Sequence, residues 1–207
     1  MAQTQDWVDG FLMVGNQPAL DLLNTELVQG GETLELLPDV PALARWLGSA
    51  GLVKAADARK ALRDPVAAER FRQQLLAFRG RLRQAVLHRE AGKAPGTEFL
   101  AELNRLLEKH PTRLRVAWVA GQAKVDRVSA TAEPDDLWAP IAAATASLFT
   151  EVAGSRVRKC ETCVVHFHDV SKKGTRRWCS MNLCGNKVKV AAYQSRRRRA
   201  VEGAGNL

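Results

Sequence analysis

Four cysteines constrain this chain more than any other feature. Two residues lie between Cys160 and Cys163, four between Cys179 and Cys184, and fifteen separate the pairs. A C-x2-C turn presents two thiolates on one side of a tight loop, and a second pair can close a tetrahedron around one ion at Zn–S distances of about 2.3 Å. One structural zinc ion per chain is therefore expected, with all four positions filled by protein. Two disulfides are the alternative. However, Met1–Gly10 carries Asp6 and Asp9, no Lys or Arg, and leads into no apolar run, so no secretory signal is read and a reducing, cytoplasmic setting is expected. His166 and His168 lie between the pairs and could replace a cysteine; with the thiol set complete they read as ordinary strand histidines. The longest nearly apolar stretch, Ile141–Phe149, is broken by Thr145 and Ser147 and falls far short of the roughly 20 residues of a membrane span.

Charge is concentrated where the cysteines are. The net charge is +9, yet Val152–Leu207 holds 13 Lys/Arg against 3 Asp/Glu, while the preceding residues hold 18 against 19. An electrically ordinary body is thus joined to a polyanion-binding module. The composition shifts near Ala153-Gly154-Ser155, which places the boundary at about residue 153, with a body over 1–153 and a finger over 154–207.

In the body, Asn16-Gln17-Pro18 reads as a helix start, with Asn16 as cap, and Leu20, Leu23 and Leu27 continue at helical spacing until Gly30-Gly31. Glu32–Leu37 is a strand candidate, and Pro38–Gly51 holds a short helix with Leu43, Trp46 and Leu47. Val66–Ala91, with Phe71, Leu75, Phe78, Leu82 and Val86, is the longest periodic segment. Helices are also expected over Thr97–His110 and Asp136–Val152, and a β-hairpin over Arg115–Val128 around Ala120-Gly121-Gln122. Trp7, Trp46, Trp118 and Trp138 read as core or interface aromatics, and no role is assigned to His88 or His110. No P-loop, dinucleotide fingerprint, nucleophile elbow or H-E-x-x-H is present, so no catalytic residue is assigned. Asp21, Asn24 and Thr25 share a face of the first helix away from its leucines. Such a trio can line a small-molecule pocket or be satisfied by neighbouring backbone.

In the finger, Val164–Val170 alternates, Ser171–Gly174 supplies a turn and Thr175–Trp178 returns to Cys179, giving a knuckle and a hairpin. Gly185-Asn186 then opens a helix-compatible run, Lys187–Arg199, so the second cysteine pair sits at a helix start in treble-clef fashion. Val188, Ala191 and Ala192 form its apolar stripe. Asn186, Lys189, Tyr193, Arg196 and Arg197 share the other face, a set suited to phosphates and base edges. Four thiolates and Zn²⁺ leave a charge of −2, which Arg158, Lys159 and Arg177 can offset.

Trp178-Cys179-Ser180-Met181, then Cys184-Gly185-Asn186 and a basic helix, with Cys160-x-x-Cys163 upstream, resembles the CGNR zinc-finger family. Gly15-Asn16 through Ala19-Leu20-Asp21-Leu22-Leu23-Asn24-Thr25, followed by Leu37-Pro38, Trp46-Leu47 and Ala50-Gly51-Leu52, resembles the ABATE-type region that precedes such fingers. The resemblance implies a bacterial, stress-related transcription regulator with a DNA-binding finger. It departs at Lys187, where the family motif has Arg: the charge is kept and the bidentate fork is lost. The expected fold is α+β, a mostly helical body with a β-hairpin followed by a small treble-clef-like finger. Double-stranded DNA is the expected partner, contacted by Asn186, Lys187, Lys189, Tyr193, Arg196 and Arg197. A homodimer or tandem arrangement is also expected, because one short helix spans few base pairs. An adaptor binding RNA or an acidic protein is the alternative, and an enzyme in the body comes third.

Overall fold

The computed structural model describes residues 6–29, 31–190 and 193–194. About half of the chain is helical, with four small two-stranded antiparallel sheets among the described residues. β1 (Trp7–Val8) and β2 (Phe11–Leu12) precede α1 (Pro18–Leu23), and β3 (Glu26–Gln29) pairs with β4 (Glu32–Glu35). Four helices follow: α2 (Val40–Ser49), α3 (Ala55–Ala61), α4 (Pro65–Glu90) and α5 (Thr97–Lys109). β5 (Arg113–Val119) and β6 (Gln122–Val128) form the hairpin, α6 (Trp138–Thr150) closes the body, and β7 (Val157–Lys159) pairs with β8 (His166–His168) in the finger.

The apolar stripe of α4 organises the main core. Phe71, Leu75, Phe78, Leu82 and Val86 are all buried, against Leu20 and Leu23 of α1, Leu43, Trp46 and Leu47 of α2, and Trp138, Ile141 and Leu148 of α6. Trp138 takes the edges of Phe71 and Phe78 at centroid distances of 5.3 and 5.4 Å, the T-shaped geometry that the ring quadrupoles favour. Beneath this core lies a buried cation. Arg79 reaches Glu35 and Glu26 and donates to the Thr25 hydroxyl, and Arg83 meets Glu26 at 3.1 Å.

A second, smaller core is shared between the two halves of the sequence. Leu12, Val14 and Leu27 from the body pack with Val165, Phe167 and the buried cysteines of the finger. Its existence explains where the first helix stops. Leucine spacing extends that helix to Gly30, but α1 ends at Leu23. Both the amide and the hydroxyl of Thr25 turn back to the Leu22 carbonyl, and Leu36 N–H closes on Thr25 O. Leu27 then enters β3 opposite Leu34 and points into the second core. The helix cap is Gln17, whose side chain accepts from the amides of Ala19 and Leu20, and Asn16 sits before it with φ +54°.

The hairpin β5–β6 has seven paired positions and a two-residue turn, Ala120-Gly121, with φ +51° and +77°. A mirror-image turn of this kind needs positive φ at both central positions, and glycine takes the second without strain. In the finger the sequence reading misplaced one pairing: β8 pairs with β7, upstream, and 175–178 forms no strand. The reason lies in Asp169. Its carboxylate accepts from the amides of Ser171 and Arg176, while Arg156 and Arg158 donate to the carbonyls of Ser171 and Gly174. The loop backbone is thereby held by side chains, away from any ladder.

Candidate metal centre and the surface around it

Local structure brings the four thiols together in two steps. The Cys160 amide donates to Val165 O at 2.9 Å, which folds the first knuckle between β7 and β8. After Cys179, Ser180 caps a wide helical turn, Met181–Gly185, its hydroxyl accepting from Asn182 N–H and Leu183 N–H. That turn presents Cys184 back toward Cys179. All four Sγ atoms lie within 4.8 Å of one another. Three of the separations are 3.7 to 3.8 Å, matching the edge of about 3.8 Å of a ZnS₄ tetrahedron built from 2.3 Å bonds. A disulfide would need about 2.05 Å.

The electrostatics also call for a cation. Cys163 is held down to about 5, first by the hydrogen bond from the Cys179 thiol, against the effect of burial, and further by the Val165 amide. Burial and the neighbouring Cys163 thiolate push Cys184 up to about 12, and Cys179 is pushed up by its hydrogen bond to Cys163 and by burial. One thiolate suppresses the others. A divalent ion removes that conflict, since every ligand must be deprotonated to bind it.

The finger's arginines are largely occupied with its own loop. Arg176 stacks on Phe167 at 4.7 Å and donates to the Trp178 and Cys179 carbonyls. Arg177 pairs with Glu161 at 2.6 Å and stacks on Trp178. Asp169, fully enclosed, is held at about 2: burial acts to raise it and is outweighed by the Ser171 and Arg176 hydrogen bonds and the Arg156 charge. The exposed cations that remain among the finger's described residues are lysines: Lys159, Lys172, Lys173, Lys187 and Lys189. Charge counting could not separate these two groups, because arginine and lysine count alike.

Asn186 and Lys187 lead directly out of the zinc turn, and 186–190 is helical. Asn186, Lys187, Lys189 and Tyr193 are all exposed. Asn186 uses its backbone amide on Met181 O, and the capping side chain is that of Ser180. A polar N-cap residue three before Leu183 was the signal for this in the sequence. Arg196 and Arg197 lie outside the described residues, as do Ala191 and Ala192.

Polar residues in and beside α1 hold the body to the finger and the body's own segments to each other. Asn24 is buried and makes a two-way contact with the backbone of His166: its Nδ2 donates to His166 O at 2.9 Å and its Oδ1 accepts from His166 N–H at 3.0 Å. Asn16 donates to His168 O, and His168 N–H donates to Gly15 O. Ser180 donates to Asp6 at 2.7 Å. Thr25 is buried against Arg79. Asp21, 7% exposed, accepts from Gly15 N–H at 2.7 Å. Gly15 has no room for a side chain, since a Cβ there would lie 2.7 Å from Asp21 Oδ1 and 2.9 Å from its amide. His166 turns its ring toward Glu90, with Nε2 3.4 Å from the carboxylate.

Asp21 provides a pH test of this arrangement. Burial raises it from 3.8 to about 7, against the lowering effect of the Gly15 amide. A carboxyl whose folded pKa lies above its unfolded value contributes fully below the unfolded value and loses that contribution as pH rises through the folded one. Asp21→Asn keeps the acceptor for Gly15 and removes the charge. It is expected to stabilise the protein at pH 8 by about 2–4 kcal/mol, from roughly 1.4 kcal/mol per pKa unit, and to change little near pH 4. Denaturant titrations at the two pH values measure this.

Comparison with known families places two models on the chain in sequence. ABATE, described as "Putative stress-induced transcription regulator", matches residues 16–152. The CGNR zinc finger matches residues 156–197. No curated protein matches the chain. Both are regulator or zinc-finger families rather than enzyme families. Among the described residues no helix is long and apolar enough to cross a membrane.

Proposed function

Because the chain belongs to the ABATE family and carries a CGNR zinc finger, we propose that it is a cytoplasmic, DNA-binding transcription regulator. In this reading the zinc ion has a structural role: Cys160, Cys163, Cys179 and Cys184 would complete its coordination, leaving no open position to activate water. Zinc would supply the fixed point from which the basic helix projects. The observation that carries the reading is the position of that helix, whose exposed Asn186, Lys187, Lys189 and Tyr193 emerge from the turn that holds Cys184. Arg196 and Arg197 lie outside the described residues, and by sequence spacing alone they would fall on the same face as Lys189 and Tyr193. The lysines and arginines meet phosphates, and Asn186 and Tyr193 approach base edges or sugars. Lys187 acts as a point charge, where the family's Arg would offer a fork.

Each phosphate contact contributes about −0.9 to the slope of log K against log salt on duplex DNA. Replacing Lys189, Arg196 and Arg197 together by Ala is expected to flatten that slope by between two and three units and to weaken binding to every sequence alike. An unchanged slope would move the contact surface elsewhere, first to Lys172 and Lys173. Competition between duplex DNA and RNA, or an acidic protein, measures the class of partner, and preference for RNA would overturn the DNA reading.

A further inference from the structure

The hairpin β5–β6 stands out from the body with one side unusually bare. Every residue of β5 except Ala117 is exposed. Alternation puts Leu114, Val116 and Trp118 on one face, and the register Leu114↔Arg127, Val116↔Val125 and Trp118↔Ala123 adds three residues of β6 to it. Leu114, Val116, Trp118 and Val125 are 70%, 71%, 76% and 68% exposed. The opposite face carries Arg113, Arg115, Gln122, Lys124 and Asp126, with Ala117, Val119 and Val128 between them. A two-stranded hairpin with an uncovered apolar face is marginal in water, and gains independent stability only when a further layer covers that face.

We propose that a second copy of this chain supplies that layer, the apolar faces of two β5–β6 hairpins packing together about a two-fold axis. Two features of the molecule select this occupant. The first is area: the four large side chains and Ala123 expose on the order of 500 Å² of apolar surface, at the upper end for a monomer's largest patch. Face to face, two copies bury about 1,000 Å² from these residues alone, which reaches the threshold of about 1,000 Å² for a biological interface before any flanking contact is added. The second is matching. Among the described residues the other large exposed apolar side chains are spread over the chain: Val8 lies on β1, Val66 on α4, Leu100 on α5, Val119 on the hairpin's other face and Val170 beyond β8, Val28 and Leu34 are on opposite faces of β3–β4, and Met181, Val190 and Tyr193 belong to the turn and helix after Ser180. Among the described residues none of these other elements puts four large exposed apolar side chains on one face for a head-to-tail contact. Self-pairing of one patch closes as a dimer. Trp118 is the central anchor, the residue type that most often dominates such interfaces. By register Arg127, opposite Leu114, is the one charged residue among the paired positions of this face, and it lies at the end farthest from the turn and from Trp118.

The test is sedimentation equilibrium of the full-length, zinc-loaded protein without nucleic acid, so its outcome is separate from the DNA reading. The wild type is expected at twice 22.7 kDa. Val116→Asp combined with Trp118→Asp is expected to halve that mass at the same concentration, with unchanged circular dichroism and zinc content. Lys124→Asp places a carboxylate on the other face and is expected to leave the dimer intact. A wild type that remains at monomer mass into the hundreds of micromolar would overturn the proposal. So would a double variant that stays dimeric, or a Lys124→Asp variant that dissociates as completely as the double variant.

Discussion

Chelation of zinc at neutral pH is expected to unfold the finger and to loosen the body's N-terminal segment with it. The finger has few apolar side chains of its own: Val165 and Phe167 are its main buried hydrophobics, supported by the cysteines themselves. Structural zinc contributes on the order of 10 kcal/mol to the folding of such modules. Losing it would return four crowded thiols to a state in which one thiolate raises its neighbours, as the upward displacement of Cys184 and Cys179 shows. The effect should spread, because Leu12, Val14 and Leu27 are covered by the finger. Amide exchange is the direct measurement. Protection should fall at His166–His168 and, in the same step, at Gly15, whose amide donates to Asp21, whose carbonyl accepts from His168 N–H and whose neighbour Asn16 donates to His168 O. Zinc addition should restore both. Acidification should do what the chelator does, since protons compete with the metal for the thiolates. Loss of protection confined to the finger would show that the two parts fold separately.

Replacing Asn24 by Ala is the point substitution expected to cost most. The side chain satisfies both the amide and the carbonyl of buried His166, and an unpaired buried polar group costs about 1–3 kcal/mol. A loss of about 3–5 kcal/mol is expected, with zinc still bound but held less tightly. Asn24→Asp separates hydrogen bonding from size: it can accept from His166 N–H but cannot donate to His166 O, so it should recover little of the stability. Thermal melts of the zinc-loaded variants, with a competitive chelator to read metal affinity, measure both effects. A melting temperature unchanged by Asn24→Ala would mean that water replaces the clamp, and the two halves would then be coupled by apolar packing alone.

What the sequence determined by itself has a common physical basis in local spacing. The metal site was legible because a knuckle fixes two thiols within a few residues and a capped turn fixes the other two; the thiols converge within 4.8 Å. The long stripe of α4 and the hairpin around Ala120-Gly121 were legible for the same reason, since period and turn chemistry act within a few residues. The tertiary structure decided what depends on partners far along the chain. Leu27 fits a helix by spacing but enters a strand, because a second core formed with residues more than 130 positions away accepts it there. The pairing of 164–170 went to β7 because Asp169 and its arginines had taken the alternative loop. Asp21, Asn24 and Thr25 showed a polar face but not what lay against it; contact with Gly15, His166 and Arg79 follows only once α1 is placed between α4 and β8. Likewise Trp118 read equally well as core or interface, and exposure on a projecting hairpin put it at the surface. Periodicity specifies which face a residue occupies, and only the packed chain specifies what that face meets, because burial is a property of the neighbours rather than of the segment.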